Sequence, residues 1–356
     1  MSTMTGKEIY DIQNKNSDED AGIRPKALNE FIGQKTVREN LGVFLTAARL
    51  RKEALDHILF SGPPGLGKTT LARILSGAQG AGFHQIAAPN LRRPGDLARM
   101  LAAMQEMDVL FIDEIHRLPA PVEEILYTAM EDKVIDISVG EGMSAASVQL
   151  KLPPFTLVGA TTRPGALSSP LTDRFGIKLR LDFYEETELV QVLQRAARLW
   201  QIDIDSSGLQ AIAARARRTP RVALRLLRRI WDFATVYAHE KKLKMVTIDE
   251  AEAIRSFELM GIDSLGLTNL DLQFLDAIAR HYSGGPVGLK AVAAILAEDL
   301  VTLEDYLEPY LVRLGFILRT PRGRVLSREG FKHINAEMKN SSGLENHLFE
   351  QENNNE

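Results

Sequence analysis

The sequence predicts an α/β nucleotide-binding domain, then a small helical domain, then three helices closed by a β-hairpin. Three observations carry this. Residues Gly62-Pro63-Pro64-Gly65-Leu66-Gly67-Lys68-Thr69 fit the phosphate-loop pattern G-x-x-x-x-G-K-[ST], between a strand-like and a helix-like run. From Glu185 to Phe257 strand signals stop and apolar residues recur at helical spacing. Further helical patterns follow, and then apolar strand-like runs on either side of Pro321-Arg322-Gly323.

The bulk numbers agree. A chain of 356 residues is too long for one ordinary core and suggests two or three domains. Hydrophobic and charged contents of 45% and 25% are those of a globular protein. The absence of cysteine excludes disulfides, thiolate zinc sites and cysteine nucleophiles. No apolar run is long enough for a membrane span, and residues 1–20 are polar and acidic, unlike a signal peptide. The expected compartment is therefore the cytoplasm. A net charge of −4 argues against a basic coat over the whole surface but leaves local patches open. Residues 1–20 and the Asn-, Glu- and Ser-rich stretch 338–356 are expected to be disordered.

Residues 21–184 form the expected α/β domain. Ile58-Leu59-Phe60 reads as a buried strand and Leu71-Ala72-Arg73-Ile74-Leu75 as a helix. Between them the loop glycines, Gly65 among them, let backbone N–H groups cradle phosphate oxygens at a helix N-terminus that also carries Thr70. Lys68 is expected to reach the outer phosphates of ATP, and the Thr69 hydroxyl to hold Mg²⁺. Asp108–Ile112 reads as a core strand ending in Asp113 and Glu114, and the C-terminal end of a parallel strand is where ligands bind. Asp113 is placed for the Mg²⁺ shell and Glu114 to orient or activate the attacking water, so hydrolysis is expected as well as binding.

The stretch 134–152 alternates apolar and polar residues on both sides of a glycine-containing turn, a hairpin signal. It is either ordinary packing on a sheet edge or a protruding arm for a partner. Phe155–Ala160 is a further strand; beyond it Thr162 could sense the γ-phosphate or hold the water, although such a threonine is more often a cap. Arg174 follows the proline-broken segment Ser169-Pro170-Leu171-Thr172-Asp173. A guanidinium is permanently charged and can fork onto phosphate oxygens. Supplied across a subunit interface it is worth roughly 10³–10⁵ in rate. The bland alternative is a surface ion pair.

In the helical domain, 185–257, Thr219-Pro220-Arg221 opens a helix, and proline in its first turn would fix Arg221 near the phosphate loop. In the third, 258–337, the patterns Asp271–Tyr282, Leu289–Leu296 and Leu303–Leu314 precede Phe316-Ile317-Leu318 and Val325-Leu326. This is the order of a winged helix. Leu303, Leu307, Tyr310, Leu311 and Leu314 share one face of the last helix. Arg319 and Arg324 flank the hairpin turn and are expected to point outward at a phosphate backbone, or else merely to guard a sheet edge.

The motifs G-P-P-G-L-G-K-T-T, F-I-D-E-I-H, G-A-T-T-R, S-P-L-x-D-R-F-G, T-P-R, G-G-P-V-G-L and R-T-P-R-G-R occur in one order. The chain closely resembles the RuvB family, the AAA+ motors that drive branch migration of Holliday junctions in bacteria, over about 23–324. The resemblance implies an AAA+ ATPase domain, an AAA+ lid and a winged-helix DNA-binding head. It implies a hexameric ring that translocates duplex DNA in recombination, repair and the SOS response, with RuvA as partner and RuvC in a larger complex. Carried over by residue, Ile23, Arg24, Tyr184 and Arg221 resemble nucleotide contacts, as do Glu131, Asp132 and Lys133. Arg174 resembles the arginine finger, Thr162 the first sensor, and 134–152 the arm that docks on RuvA. Arg319 and Arg324 resemble wing residues that touch DNA. Two positions depart from the pattern: Lys133 stands where an aromatic is common, and Leu300 where an arginine is frequent.

Two other classes compete. A clamp loader shares the ATPase module, but a winged helix in place of a helical collar speaks against it. A DNA-binding regulator that uses nucleotide only as a ligand needs neither Asp113-Glu114 nor Arg174.

Overall fold

The computed structural model describes residues 22–139, 146–242 and 246–335. The segments expected to be disordered, 1–20 and 338–356, lie outside them, as does the turn of the 134–152 hairpin. The chain divides into two compact units, Met1–Asp205 with Arg218–Trp231, and Ser206–Arg217 with Asp232–Glu356.

The first unit is built on strands β1 (Ile58–Ser61), β2 (Phe83–Ala87) and β3 (Val109–Asp113), hairpin strands β4 (Val134–Val139) and β5 (Ala146–Lys151), then β6 (Thr156–Thr161) and β7 (Ile177–Arg180). Five of these make one parallel sheet in the order β2-β3-β6-β1-β7. Every residue of β6 is buried, as are Val109–Ile112 of β3. Strands covered on both faces read as unbroken apolar runs, which is why both were legible. The two buried threonines of β6 are both satisfied: the Thr156 hydroxyl donates to the Leu55 carbonyl at 2.9 Å, and the Thr161 hydroxyl lies 2.9 Å from His116 Nδ1.

Asp108, expected to open β3, lies just before it and caps the neighbouring turns. Its carboxylate accepts from the N–H of Gly82 (2.7 Å) and of Gln105 (3.0 Å) and lies 2.8 Å from His84 Nε2. Burial alone would raise its pKa; the bonds from Gln105, His84 and Gly82 hold it below the usual carboxylate value.

The hairpin β4–β5 pairs antiparallel, Ile135 opposite Leu150, as a two-stranded sheet of its own and not as an extension of the sheet edge. Its root is anchored: Ile135 and Leu152 belong to the same core as Leu110, Leu126 and Leu157, with Leu150 packed against it. Val148, further along, is half exposed.

The helical stretch begins with Glu186–Trp200, opened by a capping box between Glu185 and Glu188. Its buried residues, Leu189, Leu193, Ala196 and Ala197, keep the expected spacing. Ser206–Arg215, Pro220–Glu240 and Glu250–Leu259 follow.

In the second unit Asn269–His281 and Leu289–Leu296 precede a helical segment and the hairpin β8 (Ile317–Thr320)–β9 (Gly323–Leu326). Phe274, Ile278, Val292, Leu311 and Ile317 share the core. The expectation of a regular α-helix over Leu303–Leu314 is corrected: Leu303–Leu307 is a single π turn that leads into the helix Glu308–Arg313. Pro309 has no N–H to give the preceding turn and its ring crowds the carbonyl four residues back, so the coil widens there. Leu303, Leu307, Tyr310 and Leu311 are nonetheless buried.

Candidate active site and nucleic-acid interface

Sheet order assembles the first site. β6 lies between β1 and β3, so the segments leaving the C-terminal ends of all three strands are neighbours. Those segments carry the phosphate loop, Thr162, and Asp113 with Glu114. The loop then feeds the helix Lys68–Gln79, which carries Thr69 and Thr70 in its first turn and seats Leu71, Ala72, Ile74 and Leu75 in the core.

Gly65 and Gly67 of the loop cannot be replaced without moving neighbours. Gly65 has φ +80, and a Cβ there would sit 2.9 Å from the Arg221 Cβ. Gly67, at φ +100, would place one 2.8 Å from the Phe31 ring. The close approach at Gly65 sets Arg221 against the loop, where its backbone N–H faces the Gly65 carbonyl at 3.4 Å. Tyr184 is buried and its hydroxyl donates to the Leu66 carbonyl at 3.3 Å, with burial raising its pKa. Ile23 is buried and its carbonyl accepts from Arg195 at 2.7 Å, whereas Arg24 is exposed.

Lys68 is strongly perturbed. Its side chain is buried and its Nζ donates to the carbonyls of Gly62 (2.7 Å) and Pro63 (2.9 Å). Burial pulls its pKa down to about 8, Glu114 and Asp113 oppose the shift, and Arg221 adds to it. An ammonium held by two neutral carbonyls, with little water, is short of negative charge, and phosphate oxygens would supply it.

Asp113 ends β3 and accepts the Glu114 N–H on one oxygen at 3.1 Å. Glu114 adopts a left-handed backbone, φ +50. Its Oε2 accepts from the Thr162 hydroxyl at 3.1 Å and lies 3.3 Å from His116 Nδ1, which in turn is 2.9 Å from the Thr161 hydroxyl. Thr162, Glu114 and Asp113 are thus brought together.

A separate cluster holds Arg174. Its Nη1 donates to the Pro170 carbonyl (2.8 Å), its Nη2 to Glu131 (3.0 Å), and its guanidinium stacks 4.5 Å from the Tyr127 ring centroid. The Tyr127 hydroxyl donates to Glu123 at 2.7 Å, and Glu123 also accepts from Ser168, the N-cap of the helix Ser169–Asp173. Asp132 and Lys133 follow Glu131 as the chain turns into β4, Lys133 with φ +55. Among the described residues no hydrogen bond or ion pair joins this cluster to Lys68 or Asp113.

The third site lies in the second unit. Arg319 and Arg324 stand directly opposite each other on β8 and β9. They are not simply extended into solvent, as the turn chemistry suggested. Both bind Glu308, whose side chain is fully buried: Arg319 Nε donates to Oε1 (2.7 Å), Arg324 Nε to Oε1 (2.8 Å) and Arg324 Nη2 to Oε2 (2.9 Å). Arg322, at the turn, is exposed. Leu300 opens the short helix Leu300–Thr302 and is partly buried against the core.

Sequence reasoning singled out neither Tyr127, nor His116, nor Glu308. Tyr127 had a signal, since Glu123, Tyr127 and Glu131 fall on one helix face at i, i+4, i+8. His116 closes F-I-D-E-I-H, where its place in the motif gives no sign of its contact with Glu114. Glu308 had none, because a single acid beside Pro309 reads as a solvated helix start.

A parallel sheet with a phosphate loop after β1, an acid pair after β3 and a polar strand end between them defines a P-loop ATPase of the AAA+ class. Comparison with known proteins makes this particular. Models described as the Holliday junction DNA helicase RuvB P-loop domain, the RuvB AAA lid domain and the RuvB C-terminal winged helix domain match residues 23–181, 184–263 and 264–335. The Holliday junction branch migration complex subunit RuvB of Paramagnetospirillum magneticum is 50% identical over 331 residues, 93% of each chain. The solved Thermotoga maritima RuvB Holliday junction branch migration motor has a TM-score of 0.79 at 45% identity, over 88% of this chain and 98% of that one. A point mutant of it gives 0.80 and 46% over the same shares. The chain belongs to the RuvB family. Among the described residues no helix is long and apolar enough to cross a membrane.

Proposed function

We propose that this protein is an ATP-driven motor that moves duplex DNA through a hexameric ring and so drives branch migration of Holliday junctions, in the cytoplasm and together with RuvA. RuvC joins in the larger assembly. The domain limits that go with this reading are 21–184 for the ATPase domain, 185–257 for the lid and 258–337 for the winged-helix head. The observation that carries it is the convergence of Lys68, Asp113-Glu114 and Thr162 at three adjacent strand ends, with Arg174 bonded to other partners, Glu131 and Pro170. A regulator that uses nucleotide only as a ligand needs neither a water-activating carboxylate nor a finger arginine; both are parts of a hydrolytic ring.

In this reading the N–H groups of the loop and the Lys68 ammonium bind the β- and γ-phosphates, Arg221 stands beside the loop, and Tyr184, Ile23 and Arg24 supply further contacts to the nucleotide. Thr69 and Asp113 suit Mg²⁺: hard oxygen donors, few in number, with Asp113 keeping one oxygen beyond its bond to the Glu114 N–H. When bound, the ion neutralises phosphate charge. Glu114 takes a proton from the attacking water, and Thr162, now bonded to Glu114, turns to the γ-phosphate. Arg174, with Glu131, Asp132 and Lys133, faces the nucleotide of the next subunit, and the 134–152 hairpin docks on RuvA. Arg319 and Arg324 hold the DNA backbone without reading bases, as a motor indifferent to sequence requires.

The test is ATP-dependent dissociation of a synthetic four-way junction, with and without RuvA. Dissociation that needs ATP and is strengthened by RuvA is expected. A response confined to linear duplex, or to loading of a sliding clamp, would sink the reading.

A further inference from the structure

Among the described residues Glu308 is the one charged side chain that both wing arginines bind, and its placement is costly by itself. A fully buried carboxylate gives up its hydration, and only well-placed partners offset that loss. Arg319 and Arg324 are costly too, because like charges directly opposite on an antiparallel pair repel. Each problem solves the other. One carboxylate takes three charge-assisted bonds from the two guanidiniums, and the cluster keeps a net charge of about +1.

The backbone is fixed as well. Arg324 pairs with Arg319 on one side, and on the other its N–H and carbonyl bond Val287 at 2.8 and 2.9 Å. Glu308 itself is set by the step from the π turn into the helix Glu308–Arg313. Both guanidiniums therefore present their Nε edges inward. Among the described residues the hydrogen bonds leave both Nη groups of Arg319 and Nη1 of Arg324 uncommitted.

We propose that Glu308 is a positioning residue for the duplex contact: it locks Arg319 and Arg324 into a pre-set two-pronged seat for a backbone phosphodiester. This rests on the reading that the wing grips DNA. Arginines already held need not be ordered on binding, and the phosphate adds the second anion that two guanidiniums require.

The sign of the effect separates this from bulk electrostatics. Glu308→Gln removes a negative charge beside DNA, which by charge alone should tighten binding. Loss of the preset geometry should weaken it, by about tenfold for two long side chains left to be ordered. The experiment measures affinity of the full-length protein for a fluorescent linear duplex across a salt titration. It compares wild type, Glu308→Gln, Glu308→Asp, Arg319→Ala with Arg324→Ala, and the triple variant, with thermal melting in parallel. Weaker binding by Glu308→Gln at every salt concentration, and no further loss when it is added to the double arginine variant, is the expected result. Glu308→Asp keeps the charge but is too short to hold both partners; it should also weaken binding, and it decides the matter where Glu308→Gln melts below the assay temperature. Equal or tighter binding in the folded glutamate variants would overturn the proposal. Unchanged affinity in the double arginine variant would instead overturn the wing as the DNA grip.

Discussion

At the residue scale, Lys68 and Glu114 reach the same lost activity by different routes. Lys68→Ala removes the cation from a buried phosphate cradle, so nucleotide affinity should fall and turnover with it. Glu114→Gln keeps shape and the bond from Thr162 while removing the carboxylate proposed as the base, so ATP should bind and persist while turnover drops by roughly 10²–10⁴. Titration calorimetry and phosphate release distinguish them; equal loss of affinity in both variants would remove Glu114 from the hydrolytic step. Lys68 also makes a pH prediction. Its folded pKa, about 8, lies below the 10.5 of the unfolded chain, so between these values the unfolded state binds more protons and stability rises with pH. The penalty of holding the charged form is full below pH 8 and is relieved toward pH 10.5, by ~3 kcal/mol at most. Without nucleotide, the melting temperature should therefore gain more between pH 8 and 10 in wild type than in Lys68→Met. Identical pH profiles would contradict the buried, protonated lysine.

At the scale of elements, the hairpin β4–β5 has a buried root and an exposed outer part. Ile135 at its root is fully buried in the ATPase core, and Ile135→Ala should cost about 2–5 kcal/mol, read in a denaturant melt. Val148 is half exposed, and Val148→Glu should leave the melt and basal ATPase unchanged while abolishing stimulation by RuvA. Retained stimulation would place the partner elsewhere. Elements of this kind were legible because their signals are local. Alternation gave the hairpin, apolar runs gave β3 and β6, and glycine spacing gave the phosphate loop. Non-local facts were not legible. Nothing in the chain says that β6 inserts between β1 and β3, yet that order brings Thr162 to Glu114. Apolar spacing over Leu303–Leu314 reads as a regular helix because a π turn still buries the same residues. Glu308 stayed hidden because its partners lie 11 and 16 residues on, across a hairpin.

At the scale of the whole molecule, the question is where Arg174 acts. In the single chain it rests on Glu131, Pro170 and Tyr127, with its Nε buried and without a partner, and among the described residues no hydrogen bond or ion pair joins it to Lys68 or Asp113. A guanidinium held this firmly on its own surface is stiff enough to be offered to a neighbour, and head-to-tail contacts that close make a ring in which every site borrows one arginine. Arg174→Ala should then bind nucleotide normally and lose ATPase activity by roughly 10³-fold or more. Mixing it with Glu114→Gln subunits, themselves inactive, should restore turnover. An Arg174→Ala subunit keeps its own Glu114, and a Glu114→Gln neighbour can lend an intact Arg174. In a random equal mixture, roughly a quarter of the interfaces of a closed ring bring these two together. Recovered activity should peak near equal proportions and vanish at either end of the mixing series. Subunit exchange must first be established by energy transfer between labelled subunits, since unmixed rings cannot complement. Absence of rescue in rings shown to be mixed would mean that Arg174 serves its own subunit, and the ion pair with Glu131 would then be its resting contact within a site completed in cis.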